Sequence, residues 1–577
     1  MITNLPKKIE IGKINNFSFG NPDATNDELI KQTLCICKIK PIREFLRDKT
    51  SILIGDRGAG KTALFELIKD KILTFNENNS CSHIIIPIDQ QLDYKILKEK
   101  VISCIQGEIK DEQLRYRLIW EILFLFNIIN AIKDKIEIPD NLKNMIEIFE
   151  KSFSLDQTQS KLLDIFLSSK RSIGIKIEPT VTGFARADFY FAMAPDEKSE
   201  SKVPSDVLKV SELKRVINKV LIDNNIKVYI LVDKIDAFVI RDEYEVQKLA
   251  LQGLLSTENS YCQFSHLRPK LFIRNDLYRH IDLREYGSDK IAARTMYLKW
   301  EAEDIRDLLA KRIVHNYLYV LGMEHINVMV AKSSLYLDKN SNDLLEEDGD
   351  EKVNVVNRLS RYIKNKMEQS NHRIKCIFGS KSTLKLLARR VNFNDQVNVD
   401  IIKTFFGEKA EHYDVENKNE HLDIEKYLET HFNLSNMSTT PRMMITFSEN
   451  CLSELRDYYE KNRDLDKNIS FPLMGPELIL KAYTSYKTKL WETIATESNC
   501  WKEAVFNLKS KSKQECITAR DLTAITATSN ENRINEFISV VSHLGVIKCE
   551  NKSVPFKERT YCLPILFRNP KQKKKKT

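Results

Sequence analysis

Glycine is scarce in this sequence, and long apolar runs are missing from it. The 577-residue chain has 16 glycines, three of them within the octet at residues 55–62. The most apolar stretch, residues 120–132, is about 13 residues long and contains Glu121, Asn127 and Asn130, so it is too short and too polar to cross a bilayer. We therefore expect it to form a buried helix of a helical domain.

The number and spacing of the cysteines do not suit a disulfide framework. The eleven cysteines are an odd number and include no CxxC pair, the closest two being Cys35 and Cys37. We expect buried or free thiols. The first residues lack the basic and apolar regions of a secretory signal, so a reducing, cytoplasmic location is expected.

The net charge of +9 is a weak indication of nucleic-acid binding, because five of the positive charges lie in one run, at Lys571 and residues 573–576. The rest of the chain is only mildly basic. The tail is either a solvated, disordered end or an electrostatic contact for nucleic acid.

Four short apolar runs predict parallel strands that are covered on both faces, because they lack the alternation of a half-exposed sheet. They are residues 51–54, 83–87, 227–232 and 270–273. Apolar residues at helical spacing follow the first run from position 64 onward. The fold class predicted is therefore α/β, with a parallel sheet.

The remaining sequence predicts additional domains, as its length suggests. A long insertion should be helical over residues 94–167 and β-like over 172–193, and the chain beyond Trp300 should be almost wholly helical apart from a mobile acidic loop at 338–351. Helices at 521–527 and 531–544, then strands at 546–549 and 560–563, follow the winged-helix order. The predicted divisions are 1–92 with 205–300 (core), 93–204 (insertion), 301–510 (helical lid and connecting helices), 511–566 (winged helix) and 567–577 (basic tail).

The octet after the first predicted strand fits GxxxxGK[ST] in full, between a strand and a helix. Its glycines allow the backbone to present successive N–H groups to phosphates, the lysine reaches the β- and γ-phosphates, and the threonine hydroxyl binds Mg²⁺. No NKxD guanine motif and no LSGGQ-like signature occur, so ATP with Mg²⁺ is the expected ligand pair. The predicted nucleotide-binding residues are Gly55, Asp56, Arg57, Gly58, Ala59, Gly60, Lys61, Thr62 and Ala63.

The run at 227–232 ends in Asp233, an apolar strand followed by a carboxylate, as in a Walker B element. Asp233 is the predicted second magnesium residue, beside Thr62. Many hydrolysing relatives have another acid directly after that aspartate, but Lys234 occupies the position here. Either Asp236 serves as the base, or turnover is slow and the protein works mainly as a nucleotide-gated switch.

The fourth run ends in Arg274-Asn275-Asp276. On a strand next to the glycine octet, Arg274 or Asn275 would lie where the γ-phosphate is expected, and these two residues join Lys61, Asp233 and Asp236 as catalytic candidates. The alternative is ordinary salt bridging on a solvated turn.

With these three elements in order, the chain resembles prokaryotic stand-alone P-loop ATPases of the AAA+ and STAND neighbourhood, of the origin-recognition-like type with a C-terminal winged helix. Phe19-Gly20 with Asp23-Ala24, residues 297–300, and Thr440-Pro441-Arg442 are similar to that family's base-binding segment, lid start and sensor-2 helix. The resemblance covers residues 17–567 and implies that Arg442 faces the nucleotide, the alternative being a surface-paired arginine. It also implies a role in phage defence.

Three functions compete. The first is an ATPase whose cycle moves the helical lid and winged helix, and the second is a non-hydrolysing, ATP-gated scaffold that recruits a protein effector. The third, a small-molecule kinase, fits poorly because most of the chain lies outside a compact kinase domain. The winged helix has few exposed cations, Arg533 being the one on its second helix, so a protein partner or self-association competes with DNA or RNA contact.

Overall fold

The computed structural model describes most of the chain, with gaps between the described segments. These segments are residues 9–32, 35, 37, 39–47, 49–75, 81–88, 111–152, 172–179, 185–192, 207–235, 244–279, 281, 288–322, 325–331, 373–379, 395–413, 419–432, 439–462, 468–512, 516–551 and 553–568. Asp236, the loop at 338–351 and the basic tail lie outside them, as do residues 94–110 and 153–167 of the predicted helical insertion.

The described strands, in chain order, are β1 (Ile9–Glu10), β2 (Ile52–Gly55), β3 (Ser82–Ile88), β4 (Ser172–Pro179), β5 (Ala185–Ala192), β6 (Val207–Lys209), β7 (Ile226–Val232), β8 (Leu267–Arg274), β9 (Thr295–Leu298), β10 (His325–Ala331), β11 (Arg373–Gly379), β12 (Lys409–Tyr413), β13 (Asn419–Asp423), β14 (Asn468–Ile469), β15 (Cys516–Thr518), β16 (Lys548–Cys549) and β17 (Thr560–Cys562).

The described α-helices are α1 (Ile11–Ile14), α2 (Lys40–Phe45), α3 (Lys61–Lys69), α4 (Glu112–Lys133), α5 (Asp140–Ser152), α6 (Val210–Asp223), α7 (Tyr244–Tyr261), α8 (Asn275–Tyr278), α9 (Ser288–Ala293), α10 (Ala302–His315), α11 (Asp395–Phe406), α12 (Ile424–Phe432), α13 (Pro441–Lys461), α14 (Pro476–Glu497), α15 (Lys502–Lys511), α16 (Ala519–Thr526) and α17 (Glu531–His543).

The chain forms two compact units. The sheet unit comprises Lys40–Arg57 and Lys61–Leu298, and the helical unit comprises Met1–Ile39, Gly58–Gly60 and Lys299–Thr577. The glycine octet is therefore continuous in the chain but contributes its central three residues to the helical unit.

The sheet unit is built on a five-stranded, all-parallel sheet of strand order β3–β7–β8–β2–β9. The fold is thus α/β, as predicted, and the four predicted strands are present. The strands β2, β7 and β8 are almost continuously buried, which explains their unbroken apolarity. The fifth strand, β9, was not predicted, because it is a short edge strand with Tyr297 46% exposed.

A buried lysine lies inside β8. Lys270 is fully buried, and its Nζ donates to the carbonyl oxygens of Phe45, Arg47 and Thr50 at 3.0, 2.8 and 2.5 Å. It also lies 5.1 Å from the ring centre of Phe45 and 5.0 Å from that of Phe75. The ammonium thus donates to carbonyl oxygens at and beyond the end of α2 that would otherwise be buried without a hydrogen-bond donor.

The insertion predicted between β3 and β7 contains helices and then strands. Residues 120–132 lie within α4 and are mostly buried, which confirms the helix expected there. The β-like segment forms the antiparallel pair β4–β5, extended by β6. Among the described residues, no helix is long and apolar enough to span a membrane.

The helical unit is less uniformly helical than predicted. Besides its helices it contains the antiparallel pairs β1–β14, β10–β11 and β12–β13. The prediction of an almost wholly helical region beyond Trp300 was therefore wrong. Strand pairing depends on partners far apart in the chain, as in β10 and β11, so local periodicity gives little sign of it.

The last part of the helical unit is a small module, residues 502–568, called the C-terminal module below. It runs α15, β15, α16, α17, β16 and β17, and its three strands form an antiparallel sheet of order β15–β17–β16. The predicted sequence of helix, helix, strand and strand is confirmed. The sequence did not indicate β15, which is only three residues long.

Candidate functional site

The glycine octet joins β2 to α3. Gly55 ends β2, and Lys61 begins α3. Gly58 and Gly60 have φ angles of +82° and +96°, conformations that residues with a Cβ rarely adopt. The backbone conformation therefore favours glycine at these two positions. The chain curls there, between a buried strand and the N-terminal end of a helix.

Lys61 lies within this curled loop. Its side chain is 7% exposed, and its Nζ donates to the carbonyl oxygens of Gly55 at 2.7 Å and Asp56 at 3.0 Å. Thr62 and Ala63 follow on the first turn of α3 and are half-buried, whereas Arg57 is exposed. The loop thus presents an ammonium, a hydroxyl and a helix N-terminus together, the groups that bind phosphate and its metal ion.

The strand next to β2 carries the two sensor candidates. In the register of β2 with β8, Gly55 faces Arg274, so Arg274 and Asn275 follow at the same edge as the loop. The Asn275 Nδ2 donates to the Asp56 Oδ1 at 2.7 Å. The Arg274 side chain instead forms a bidentate ion pair with Asp276, with its Nε 2.9 Å from Oδ1.

This arrangement distinguishes the two candidates. Asn275 contacts the glycine loop directly, whereas Arg274 forms the local salt bridge that was the alternative reading. Sequence reasoning did not find the pairing of Asn275 with Asp56, because 219 positions separate these residues.

Asp233 follows β7 at the same edge of the sheet. It is 3% exposed, and its backbone N–H donates to the Ile88 carbonyl oxygen at 3.2 Å. Lys234, the next residue, has a φ of +57°, so the chain turns sharply after the carboxylate. Asp233 thus belongs to a fixed strand end, while Asp236 is outside the described residues.

Within the helical unit, loop residues Gly58 and Ala59 are hydrogen-bonded by residues at or just before the starts of two helices, α10 and α13. The Trp300 Nε1 donates to the Ala59 carbonyl oxygen at 2.7 Å, just before α10. The Arg442 backbone N–H lies 3.4 Å from the Gly58 carbonyl oxygen, at the start of α13. Thr440 caps α13, accepting from the Met443 N–H, and Pro441 occupies its first turn.

The Arg442 side chain continues from this contact to the N-terminal segment (residues 17–27). Its Nε donates to the Pro22 carbonyl oxygen at 3.2 Å. A Cβ added to Gly58 would lie 2.8 Å from the Arg442 Cβ and 3.2 Å from the Thr440 Oγ1, so only glycine fits there without movement. Arg442 therefore packs on the loop at Gly58 and reaches the segment that the resemblance assigned to the nucleotide's base.

Buried polar contacts hold the N-terminal segment on the helices of the same unit. Arg312 on α10 forms a buried ion pair with Asp27, at 2.7 Å between Nη2 and Oδ2, and its Nη1 donates to the Phe19 carbonyl oxygen. Glu449 on α13 accepts from the Phe19 N–H at 2.5 Å. Asn316 exchanges two hydrogen bonds with the Ser18 backbone, at 3.0 and 2.8 Å.

Two thiols lie close to this segment without forming a reactive pair. Cys35 and Cys37 are buried and free, as expected for a chain without a disulfide framework. Burial raises the pKa of Cys35 to about 11, against the opposing charge of Arg312, and burial raises the pKa of Cys37 further. Both are therefore protonated at neutral pH and are poor nucleophiles.

The C-terminal module offers little positive charge on its second long helix. The Arg533 guanidinium lies over the Trp501 ring, 5.6 Å from its centre. Between β16 and β17, the Arg559 Nε donates to the Val554 carbonyl oxygen at 3.1 Å. The exposed residues of α17 are Glu531, Asn532, Arg533, Asn535, Glu536 and Ser539.

Comparison with known proteins gives no family for this chain. No protein-family model matches the sequence, and a search of curated proteins finds no match.

Proposed function

We propose that this chain binds ATP with Mg²⁺ on the loop at residues 55–62 and uses the bound nucleotide to change the conformation of its helical elements. The observation that carries the proposal is the loop itself. Gly58 and Gly60 adopt left-handed conformations between a buried parallel strand and a helix, and the Lys61 ammonium lies on the loop's own carbonyls. Few tasks other than phosphate binding need these features together.

The ligands for Mg²⁺ would be the Thr62 hydroxyl and the Asp233 carboxylate, the latter through water. Mg²⁺ prefers oxygen ligands and retains several waters, so one carboxylate and one hydroxyl beside phosphate oxygens form a suitable set. Asp233 is a carboxylate held at a buried strand end, which fits this requirement. Bound Mg²⁺ would neutralise charge on the phosphates, while Lys61 and the loop N–H groups orient them.

The strand order supports an ATPase of the AAA+ and STAND neighbourhood. A polar residue can approach the γ-phosphate from a strand that lies next to the loop strand, on the side of the strand that ends at the metal-binding carboxylate. Here β8 lies between β2 and β7. Asn275 is the better sensor candidate, because it already contacts Asp56 of the loop.

Contacts of loop residues Gly58 and Ala59 inside the helical unit suggest how nucleotide state is read. Trp300 and Arg442 both hydrogen-bond to loop carbonyls, and Arg442 also bonds Pro22. A loop that rearranges around phosphate would shift these carbonyls and so bias the starts of α10 and α13. In this proposal Arg442 acts as sensor 2, and the lid and the winged helix (residues 511–566) carry the response.

Whether the cycle includes hydrolysis separates the two leading functions. Phosphate release should be measured from the purified full chain with Mg-ATP, with and without DNA, for wild type and Lys61→Ala. If the chain is an ATPase, wild type releases phosphate and Lys61→Ala abolishes the release. No release from wild type under any condition would reject the ATPase and leave the non-hydrolysing scaffold, for which Lys234 after Asp233 is the supporting feature.

The C-terminal module binds either a protein or a nucleic acid, and the charge of α17 favours a protein. Its exposed face has Glu531 and Glu536 against Arg533, which already stacks on Trp501. Phosphate backbones attract cationic surfaces, so this helix is a poor reader of DNA. DNA or RNA binding that weakens steeply with salt and with deletion of residues 571–576 would overturn this choice. A defence role remains part of the proposal through the resemblance, and a cytoplasmic location through the free cysteines and the first residues of the sequence.

A further inference from the structure

Two cysteines face each other across the small sheet of the C-terminal module. Cys516 on β15 and Cys562 on β17 are direct partners in the antiparallel register. Their Sγ atoms are 2.6 Å apart, and both residues are partly exposed. These residues are separated by 46 positions, so no spacing motif predicts the pair.

The position of the two residues suits a disulfide. Facing residues in antiparallel strands have Cα atoms roughly 4.5–5.5 Å apart, which lies within the range that disulfides span. Both residues are partly exposed, and Cys516 lies on the edge strand β15 of the small sheet. An oxidant or a reductant could therefore act on the pair without opening the sheet.

A metal ion is the competing occupant, because Glu550 lies with the two thiols in one cluster whose ligand atoms are all within 4.8 Å of one another. Two thiolates on one tetrahedral zinc ion would be about 3.8 Å apart, given Zn–S bonds of about 2.3 Å. The observed sulfur contact is closer than that. Among the described residues this cluster also offers three ligands, whereas structural zinc sites use four.

The surroundings of Cys562 disfavour its thiolate form. Desolvation raises the pKa of Cys562, and the hydrogen bonds with Cys516 and Glu550 raise it further. The Cys562 thiol is thus protonated at neutral pH and is a poor nucleophile by itself. Such a pair reacts slowly by itself and responds to oxidising conditions.

We propose that Cys516 and Cys562 form a reversible disulfide that joins β15 to β17 when the protein meets a hydroperoxide. The sulfur of Cys516, on the edge strand β15, attacks the peroxide O–O bond, giving a sulfenic acid and, with hydrogen peroxide, one water. The Cys562 sulfur then attacks that sulfur, the S–S bond forms, and the Cys562 proton leaves with the hydroxyl as a second water. Two thiols are oxidised by two electrons in total, the peroxide is reduced, and a small thiol reverses the reaction by exchange.

The disulfide would fix the start of α16. Thr518 ends β15 and caps α16 by accepting from the Asp521 N–H, so β15 and α16 form one continuous support. Linking Cys516 to β17 therefore ties this helix to the central strand of the sheet. The inference concerns the module alone and is independent of nucleotide binding.

The test is peptide mapping of the full chain. Reduced protein is treated with hydrogen peroxide, the remaining thiols are alkylated, and the protein is digested without reductant for mass spectrometry. We expect a linked peptide pair containing Cys516 and Cys562, a loss of two free thiols, and recovery of both after dithiothreitol. The oxidised protein should also melt at a higher temperature than the reduced protein.

Matched variants separate this disulfide from other thiol chemistry. Cys549→Ser is the control, because Cys549 pairs with Tyr561 in the register and should not take part. Peroxide should still remove two free thiols from Cys549→Ser. In Cys516→Ser and in Cys562→Ala the link should not form, and each variant should melt like reduced wild type. Three results would overturn the proposal. The first is a link from Cys549 to Cys562, and the second is the absence of any linked peptide. The third is one equivalent of bound Zn²⁺ that prevents oxidation and is lost in Cys516→Ser.

Discussion

Adding one methyl group to the glycine loop tests whether its shape matters for ATP. Gly58→Ala places a Cβ on a residue with φ of +82° and brings it 2.8 Å from the Arg442 Cβ. Gly322→Ala is the matched control. Gly322 has φ of +68° but nothing within 4 Å of its added Cβ, so it carries backbone strain without a clash.

The expected cost has two parts. A residue with a Cβ in the left-handed region loses about 1–2 kcal/mol, and this applies to both substitutions. Carbon atoms pack best at about 3.5–4.0 Å, so the contact in Gly58→Ala forces a shift that costs about 1–3 kcal/mol more. If the loop relieves this clash by leaving its binding conformation, restoring that conformation costs about 2 kcal/mol on binding, and ATP affinity falls by about 30-fold.

Calorimetric titration with Mg-ATP and a thermal melt of both variants measure these effects. Gly322→Ala should bind ATP like wild type and melt slightly lower. Gly58→Ala should bind at least about 30-fold more weakly and melt lower again. The reasoning is refuted if Gly58→Ala binds ATP with wild-type affinity and melts together with Gly322→Ala.

Three further outcomes are expected. Asn275→Ala and Asp56→Ala should have non-additive effects on ATP turnover or affinity, because the two side chains share a hydrogen bond. A double-mutant cycle should give a coupling energy of about 1 kcal/mol. Additive effects would show that the two side chains act independently. Asp233→Asn should bind ATP equally in Mg²⁺ and in EDTA, and an unchanged preference for Mg²⁺ would remove Asp233 from the metal site. Lys270→Met should lower the free energy of unfolding by about 3 kcal/mol in urea, because three carbonyls lose their donor, whereas the exposed Lys290→Met should change it little.

Local sequence predicts the elements of this chain better than the contacts between them. The strands β2, β7 and β8 are evident because burial on both faces demands unbroken apolar runs. The loop is evident because glycine is rare elsewhere in the chain. The edge strand β9 and the pairs β10–β11 and β12–β13 are not evident, since they are short or depend on distant partners.

The same limit applies to the site. Lys61 and Asp233 can be assigned from a motif, because their neighbours in the chain define their positions. The contact of Asn275 with Asp56 and the contacts of Trp300 and Arg442 with the loop join residues more than 200 positions apart. Only the folded chain brings them together, and for Arg274 it favours the local ion pair over the sensor role.

The central claim is that the loop at residues 55–62 binds Mg-ATP through Lys61. Equilibrium titration of the full chain with a fluorescent ATP analogue, for wild type, Lys61→Ala and Lys69→Ala, tests it most directly. Lys69 lies on the same helix but pairs with Glu66, 3.1 Å away, so it serves as the matched control. We expect saturable binding to wild type and Lys69→Ala and its loss in Lys61→Ala; equal affinity for all three would show that the loop does not bind ATP through Lys61.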